Sequence, residues 1–132
     1  MTPRLSIVIV NFNGRGHLEN CLRSLAAHST ATAHEVVVVD NASTDDSASS
    51  VAAFPSVRLL RLPVNVGFSA GNNAGIRATT GALVLLLNND TLVPAGAIDT
   101  LVARLEAHPE AAIVGPRLVD DREEPELSFG PM

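Results

Sequence analysis

The sequence predicts an α/β domain built on one mainly parallel sheet with helices on both faces. Two observations predict it. Four of five strand-like runs are nearly continuous Val, Ile, Leu and Ala, without period-two alternation, as strands buried on both faces read. Between the runs lie segments with apolar residues at i, i+3, i+4 and i+7, the stripe of a helix resting on a core. Regular alternation of the two implies right-handed crossovers and a parallel sheet.

The elements follow in order. Leu5–Val10 is the first strand. In His17–His28, Leu18, Cys21, Leu22 and Leu25 form one stripe, predicting a helix. Glu35–Asp40 is the second strand. After it, Ser43 or Thr44 is placed to cap a short helix, with Asp45 and Asp46 favourable in its first turn. The third run, Val57–Leu62, is mixed (VRLLRL) and suits a sheet edge. Ser69–Thr79 reads as a weak helix. Gly71, Asn72, Asn73 and Gly75 are poor helix formers, and close packing or a ligand would have to justify them. Ala82–Leu87 is the fourth strand. Pro94–His108 repeats the helical stripe through Ile98, Leu101, Val102 and Leu105, with Pro94 in its first turn and His108-Pro109 as its stop. Ala111–Gly115 reads as a fifth strand. The expected sheet order is 3-2-1-4, with the fifth run beyond the fourth or displaced.

Composition narrows the function classes. The 132 residues fit one domain, and 46% are hydrophobic, enough for a core. Aromatics are only 3%, with no Trp or Tyr, which disfavours a stacking platform for single-stranded nucleic acid. The net charge of -5 disfavours tracking a phosphate backbone, so no nucleic-acid partner is expected. Cys21 is the single cysteine, so an intrachain disulfide is excluded and a reducing compartment suits the chain. The apolar run near the N-terminus is too short for a signal-peptide core or a membrane span.

In a doubly wound sheet, ligands bind beyond the carboxyl ends of the strands. Here those ends are polar: Asn11-Phe12-Asn13-Gly14, Asp40-Asn41-Ala42-Ser43, Asn65-Val66-Gly67-Phe68 and Asn88-Asn89-Asp90. Asp40 suits a ribose hydroxyl or base N–H, or equally a turn or cap. Asp90 suits a Mg²⁺ shared with substrate phosphates, or an Asx-turn leading into Thr91. Gly14-Arg15-Gly16-His17-Leu18-Glu19 fails the dinucleotide fingerprint, because Glu19 stands where the third glycine is needed. There is no G-x-x-x-x-G-K-[ST], no G-x-S-x-G, and the four histidines are scattered rather than grouped for zinc.

Four pieces in order, SIVIVNFN (Ser6–Asn13), VVVVDNASTDDS (Val36–Ser47), NVGFSAGNNAGIRATTG (Asn65–Gly81) and LVLLLNNDT (Leu83–Thr91), resemble family 2 glycosyltransferases. They look most like the bacterial rhamnosyltransferase-like and O-antigen-type enzymes. The resemblance runs from residue 5 to about 119, including GPRL at Gly115–Leu118. It implies the three-layer, Rossmann-like GT-A fold, with LLLNND as this chain's version of D-x-D. It implies a nucleotide-sugar-binding set of Asn11, Asn13, Asp40, Asn65, Gly67, Asn72, Asn88 and Asn89, with Asp90 as ligand to a divalent metal, Mg²⁺ or Mn²⁺. Asn88 departs from the strict motif and brings no charge.

The implied reaction transfers a sugar from a nucleotide-diphosphate donor, dTDP-rhamnose first and UDP-sugars next, to a hydroxyl of a glycan or lipid-linked glycan, with inversion. Such an enzyme serves cell-surface polysaccharide synthesis. A cytoplasmic location is expected, with the inner face of the membrane as one option. Residues 1–119 would be the donor-binding half of the domain. Residues 120–132 would be a solvated acidic tail (Asp120, Asp121, Glu123, Glu124, Glu126) or the start of a second half. No catalytic base is identifiable, and apolar surface near strands four and five would favour self-association. The other readings are a nucleotide-binding module without turnover, and a dinucleotide enzyme, which Glu19 disfavours.

Overall fold

A computed structural model describes residues 2–28 and 30–126; the last part of the acidic segment, 127–132, lies outside the described residues. The elements are β1 (Leu5–Asn11), α1 (His17–Ala27), β2 (His34–Asp40), a 3-10 helix (Ser47–Ala53), β3 (Val57–Arg61), α2 (Phe68–Arg77), β4 (Leu83–Leu86) and α3 (Ala97–Ala107). The chain divides into two compact units, one ending at Gly96 and one beginning at Ala97. The first holds the whole sheet.

The sheet is parallel, in the expected order β3-β2-β1-β4. β1 and β2 form its centre and are buried almost throughout. The chain moves one way along the sheet from β1 to β3, then crosses back to β4. Right-handed crossovers therefore put α1 and the 3-10 helix on one face and α2 on the other. Ile7, Ile9, Leu18, Cys21 and Leu22 are buried, and so are Val36, Val38, Ala48 and Val51. On the α2 face, Val8, Val37 and Val39 form a core cluster with Val10, Leu60, Leu62 and Ala74 packed against it.

The glycines of α2 have a packing reason. A Cβ on Gly75 would stand 2.3 Å from Val8 Cγ1 and 3.0 Å from Val39 Cγ2. One on Gly71 would stand 3.1 Å from Val10 Cγ1. Two glycines four apart give α2 a smooth stripe, so its backbone lies directly on the valines of β1 and β2. Close packing, rather than helix propensity, is what keeps this segment helical.

At the amino ends of the strands, Glu35 joins three elements. It accepts from Ser6 Oγ (2.7 Å) and from the Thr80 N–H (2.8 Å), while Ser6 Oγ accepts from the Gly81 N–H (2.8 Å). Burial alone would raise its carboxyl; the bonds from Thr80 and Ser6 and the nearby Arg58 charge outweigh that and hold it below the ordinary range.

Four expectations are corrected. β4 is not buried on both faces: Val84 and Leu86 are exposed. They share the face of their register partners Ser6 and Val8. The helix on that face, α2, lies over β1 and β2 rather than over the outer strand. Ala111–Gly115 is not a strand, because no partner strand pairs with it among the described residues. Ser43 and Thr44 do not cap the short helix, which starts at Ser47; the Ser43 hydroxyl goes to Asp40 instead. Finally, α3 starts at Ala97 rather than Pro94, since Gly96 at φ 76° breaks the right-handed path before it.

In the second unit, Asp120–Glu126 is exposed and forms a turn. Asp120 accepts from the Arg122 and Glu124 N–H groups, and Val119 bridges Pro125. Among the described residues, no helix is long and apolar enough to cross a membrane.

Candidate functional site

The carboxyl ends of β1 and β4 flank an open cleft of about 320 Å³ lined by Val10, Phe12, Phe68, Asn88, Asn89 and Asp90. This is where the direction of winding reverses, the place a ligand is expected in an open α/β sheet. Val10 and Phe12 come from the end of β1, Phe68 from the start of α2, and the three polar residues from the end of β4. Phe12 and Phe68 are 49% and 59% exposed, so two aromatic faces are presented beside the polar group. α2 also begins here without a side-chain cap, leaving first-turn N–H groups open to an anion.

The Asn88–Asp90 segment is held from below by α1. Cys21 Sγ lies 3.8 Å from the Asn88 carbonyl. Farther on, the Val93 N–H donates to Ser24 Oγ (2.9 Å). Burial, followed by the charge of Asp90, pushes the Cys21 thiol up to about 11, so it stays protonated and available as a donor. Thr91 N–H closes a backbone turn onto the Asn88 carbonyl (3.2 Å). The turn does not use the Asp90 carboxylate, which is exposed and makes no hydrogen bond among the described residues.

Of the residues singled out from sequence, Asn88, Asn89 and Asp90 line the cleft. The others do not line it; several of them build its surroundings. Asn11 is fully buried, and its Nδ2 faces Asp40 Oδ1 (3.1 Å), Ser43 Oγ (3.2 Å) and Ser47 Oγ (2.9 Å). Its Oδ1 accepts from Asn89 Nδ2 at 3.0 Å. Asn13, at φ 49°, accepts from the Thr44 and Asp45 N–H groups (2.8 and 3.2 Å) and so pins the loop after β2. Asp40 is 3% exposed and accepts from Ser43 Oγ at 2.6 Å. Asn65 accepts from the Gly67 N–H (2.9 Å) in a local turn. Asn72 is buried in α2.

Sequence reasoning missed three contributors. Phe12 directly follows β1 and Phe68 opens α2, and the polar residues beside them drew the reading instead. Asn41 stands in the sequence only as part of the polar end of the second strand. It is buried, donates to the Gly67 carbonyl (3.1 Å) and accepts from the Val66 N–H (2.9 Å). One amide thus holds the Asn65–Phe68 segment as a neighbouring strand would, and sets Phe68 at the cleft.

The sequence profile of glycosyl transferase family 2 matches residues 6–130. The chain belongs to that family. It is 32% identical over 133 residues to an N-acetylglucosaminyl-diphospho-decaprenol L-rhamnosyltransferase of Mycobacterium tuberculosis, covering 91% of this chain and 43% of that enzyme. It is 29% identical over 128 residues to an N-acetylglucosaminyltransferase of Bradyrhizobium elkanii, covering 92% of this chain and 70% of that one. Among solved structures, a mannosyltransferase from Pyrobaculum calidifontis in complex with GDP-Man and Mn²⁺ superposes with a TM-score of 0.72 at 27% identity, over 80% of this chain and 33% of that one. The fold of this family 2 chain is accordingly that of the GT-A glycosyltransferases. The chain spans 37% and 30% of the length of two further curated relatives.

Proposed function

We propose that the chain is the donor-binding part of a glycosyltransferase that moves a sugar from a nucleotide-diphosphate donor to an acceptor hydroxyl. The observation that carries this is the cleft itself: two exposed phenylalanines and the Asn88-Asn89-Asp90 run share one pocket at the switch point of the sheet. An aromatic platform suits a nucleoside, and a polar, acidic strand end suits a metal-bound diphosphate.

Among the described residues, no group of three or more His, Cys, Asp or Glu forms a protein-only site. Asp90 with the amides of Asn88 and Asn89 offers hard oxygen donors carrying a single charge. That fits Mg²⁺ or Mn²⁺ held jointly with phosphate oxygens, and does not fit a resident structural metal. When bound, the cation would neutralise charge developing on the leaving diphosphate. The chain's own residues do the rest. Phe12 and Phe68 exclude water from one side of the ligand. Asp90 supplies the charge that anchors the cation. Asn13 and Asn41 hold the two flanking loops in shape, and Asp40, behind Asn11 and Ser43, braces the nucleoside side. Asn65, Gly67 and Asn72 act through the same frame.

The finer assignments rest on likeness. The mycobacterial rhamnosyltransferase supports rhamnose as the sugar and a lipid-linked acceptor; dTDP-rhamnose as donor, with UDP-sugars next, inversion at the anomeric carbon, and a glycan or lipid-linked glycan as acceptor are what the family resemblance implies. Polysaccharide synthesis at the cytoplasmic face of the membrane follows from the same reading. Exposed Val84 and Leu86 on the outer strand support self-association, to be read by sedimentation across a concentration series. The experiment for the donor reading is a thermal-shift screen of UDP, dTDP and GDP, each with and without Mn²⁺ or Mg²⁺. A shift that needs nucleotide and metal together supports the proposal; no shift with any pair contradicts it.

A further inference from the structure

We propose that Asn11 is a positioning residue for the diphosphate end of the cleft: it fixes which polar atom of Asn89 faces the ligand. The ligand in this inference rests on the donor-site reading above; the hydrogen-bond relay does not.

The argument begins with protons. Asn11 is 0% exposed, so its amide has to find all its partners inside the protein. On one side stand three oxygens. Asp40 is a carboxylate and only accepts. The Ser43 hydroxyl points its hydrogen at Asp40, donating a bond of 2.6 Å, and the Ser47 hydroxyl donates its hydrogen bond to Asp45. All three oxygens therefore offer lone pairs to Asn11, at 3.1, 3.2 and 2.9 Å. A reversed amide would bury its own oxygen against three acceptors. Asn11 must present Nδ2 here, and Oδ1 must point the other way, to Asn89 at 3.0 Å. Asn89 in turn must present Nδ2, which leaves its Oδ1 as the polar atom for the cleft that it lines. An oxygen beside Asp90 suits a cation or a ligand hydroxyl, whereas an NH₂ there would repel the cation.

A second observation supports the relay independently. A Cβ at position 14 would stand 2.2 Å from Asn11 Oδ1 and 2.4 Å from Asn89 Nδ2, the two atoms of that bond. Gly14 therefore keeps open the space in which strand ends β1 and β4 are joined. This explains a glycine that the failed dinucleotide fingerprint left without a purpose.

Gly14→Ala keeps both amides and removes the room for their bond. Ser47→Ala, which removes one of the acceptors that orient the buried Asn11 amide, loosens the bond from the side away from the cleft if the first variant folds poorly. The probes are UDP, dTDP and GDP, titrated with and without Mn²⁺. Either variant should cut the Mn²⁺-dependent gain in nucleotide affinity by about threefold or more, with metal-free affinity unchanged within about twofold. A merely structural role would lower both together. A second readout needs no ligand: Ser47→Ala should move the Asn89 side-chain amide resonances, although Ser47 reaches Asn89 only through Asn11. A full Mn²⁺-dependent gain in both variants overturns the proposal, and so does an Asn89 amide that does not respond to Ser47→Ala. If the wild-type chain binds none of the three nucleotides with Mn²⁺, the donor reading fails, and the amide resonances still decide the relay.

Discussion

Ala42 stands at φ 62°, in the left-handed region, in the turn directly after Asp40. A Cβ there costs roughly 1–2 kcal/mol, while glycine's extra chain entropy costs about 0.5–1 kcal/mol. Ala42→Gly is therefore expected to stabilise the protein by about 0.5–1 kcal/mol in urea unfolding. Cys21 gives a pH dependence. Its thiol, raised from 9.0 to about 11 by burial and then by Asp90, holds its proton more tightly folded than unfolded. That contribution is complete below about pH 9 and lost as pH rises toward 11, so chemical-denaturation midpoints should fall across that window. Native Cys21 should also react slowly with iodoacetamide at neutral pH. Residue by residue, geometry at the strand ends was partly legible. Asn88, Asn89 and Asp90 line the cleft because a strand end fixes where its next residues emerge. Asn11 and Asn13 do not line it and hydrogen-bond the loop after β2. A sequence shows that an amide sits at a strand end, not which neighbours will saturate it.

Among the elements, α2 shows how magnitudes decide a helix. Replacing Gly75 by Ala favours the helix by about 1 kcal/mol in propensity. The added carbon would meet Val8 at 2.3 Å, and overpacking costs about 1–3 kcal/mol. Val8 and Val39 are buried and stiff at χ1, so they yield little and the second effect wins. Gly75→Ala should destabilise the protein by about 1–2 kcal/mol, read by the shift in urea midpoint. The glycines were visible in the sequence, and so was the need for close packing. What could not be read was which strands α2 would cover. Its position over β1 and β2 leaves Val84 and Leu86 of β4 exposed, though their apolar run reads like that of a central strand. The fifth run failed for a related reason: apolar residues make a strand only when a partner offers hydrogen bonds.

For the whole molecule, sheet order was the most legible feature, because alternating elements and right-handed crossovers leave few arrangements. The location of the cleft followed from it. Its aromatic lining did not, since Phe12 and Phe68 lie far apart in the sequence and only the fold brings them to one cleft. Among the described residues, one carboxylate lines the cleft, Asp90, and the metal role we propose occupies it. A base for the acceptor's proton is help typically worth about 10²–10⁴-fold. The proposal therefore expects the 132-residue chain to bind donor nucleotide with little acceptor-dependent transfer, as measured by nucleotide release with and without acceptor.

On the proposed reading, the strand-end cleft binds a nucleoside diphosphate together with a divalent cation through Asp90. The most direct test is the thermal shift of wild-type and Asp90→Ala protein with UDP, dTDP or GDP, each with and without Mn²⁺. Ligand that binds only the folded state stabilises it by about 2.7 kcal/mol at a hundredfold excess over Kd, a readily measured shift. The expected result is a nucleotide shift enlarged by Mn²⁺ in the wild type, with the enlargement abolished and the metal-free shift kept in Asp90→Ala. An undiminished Mn²⁺ enlargement in Asp90→Ala would contradict the account.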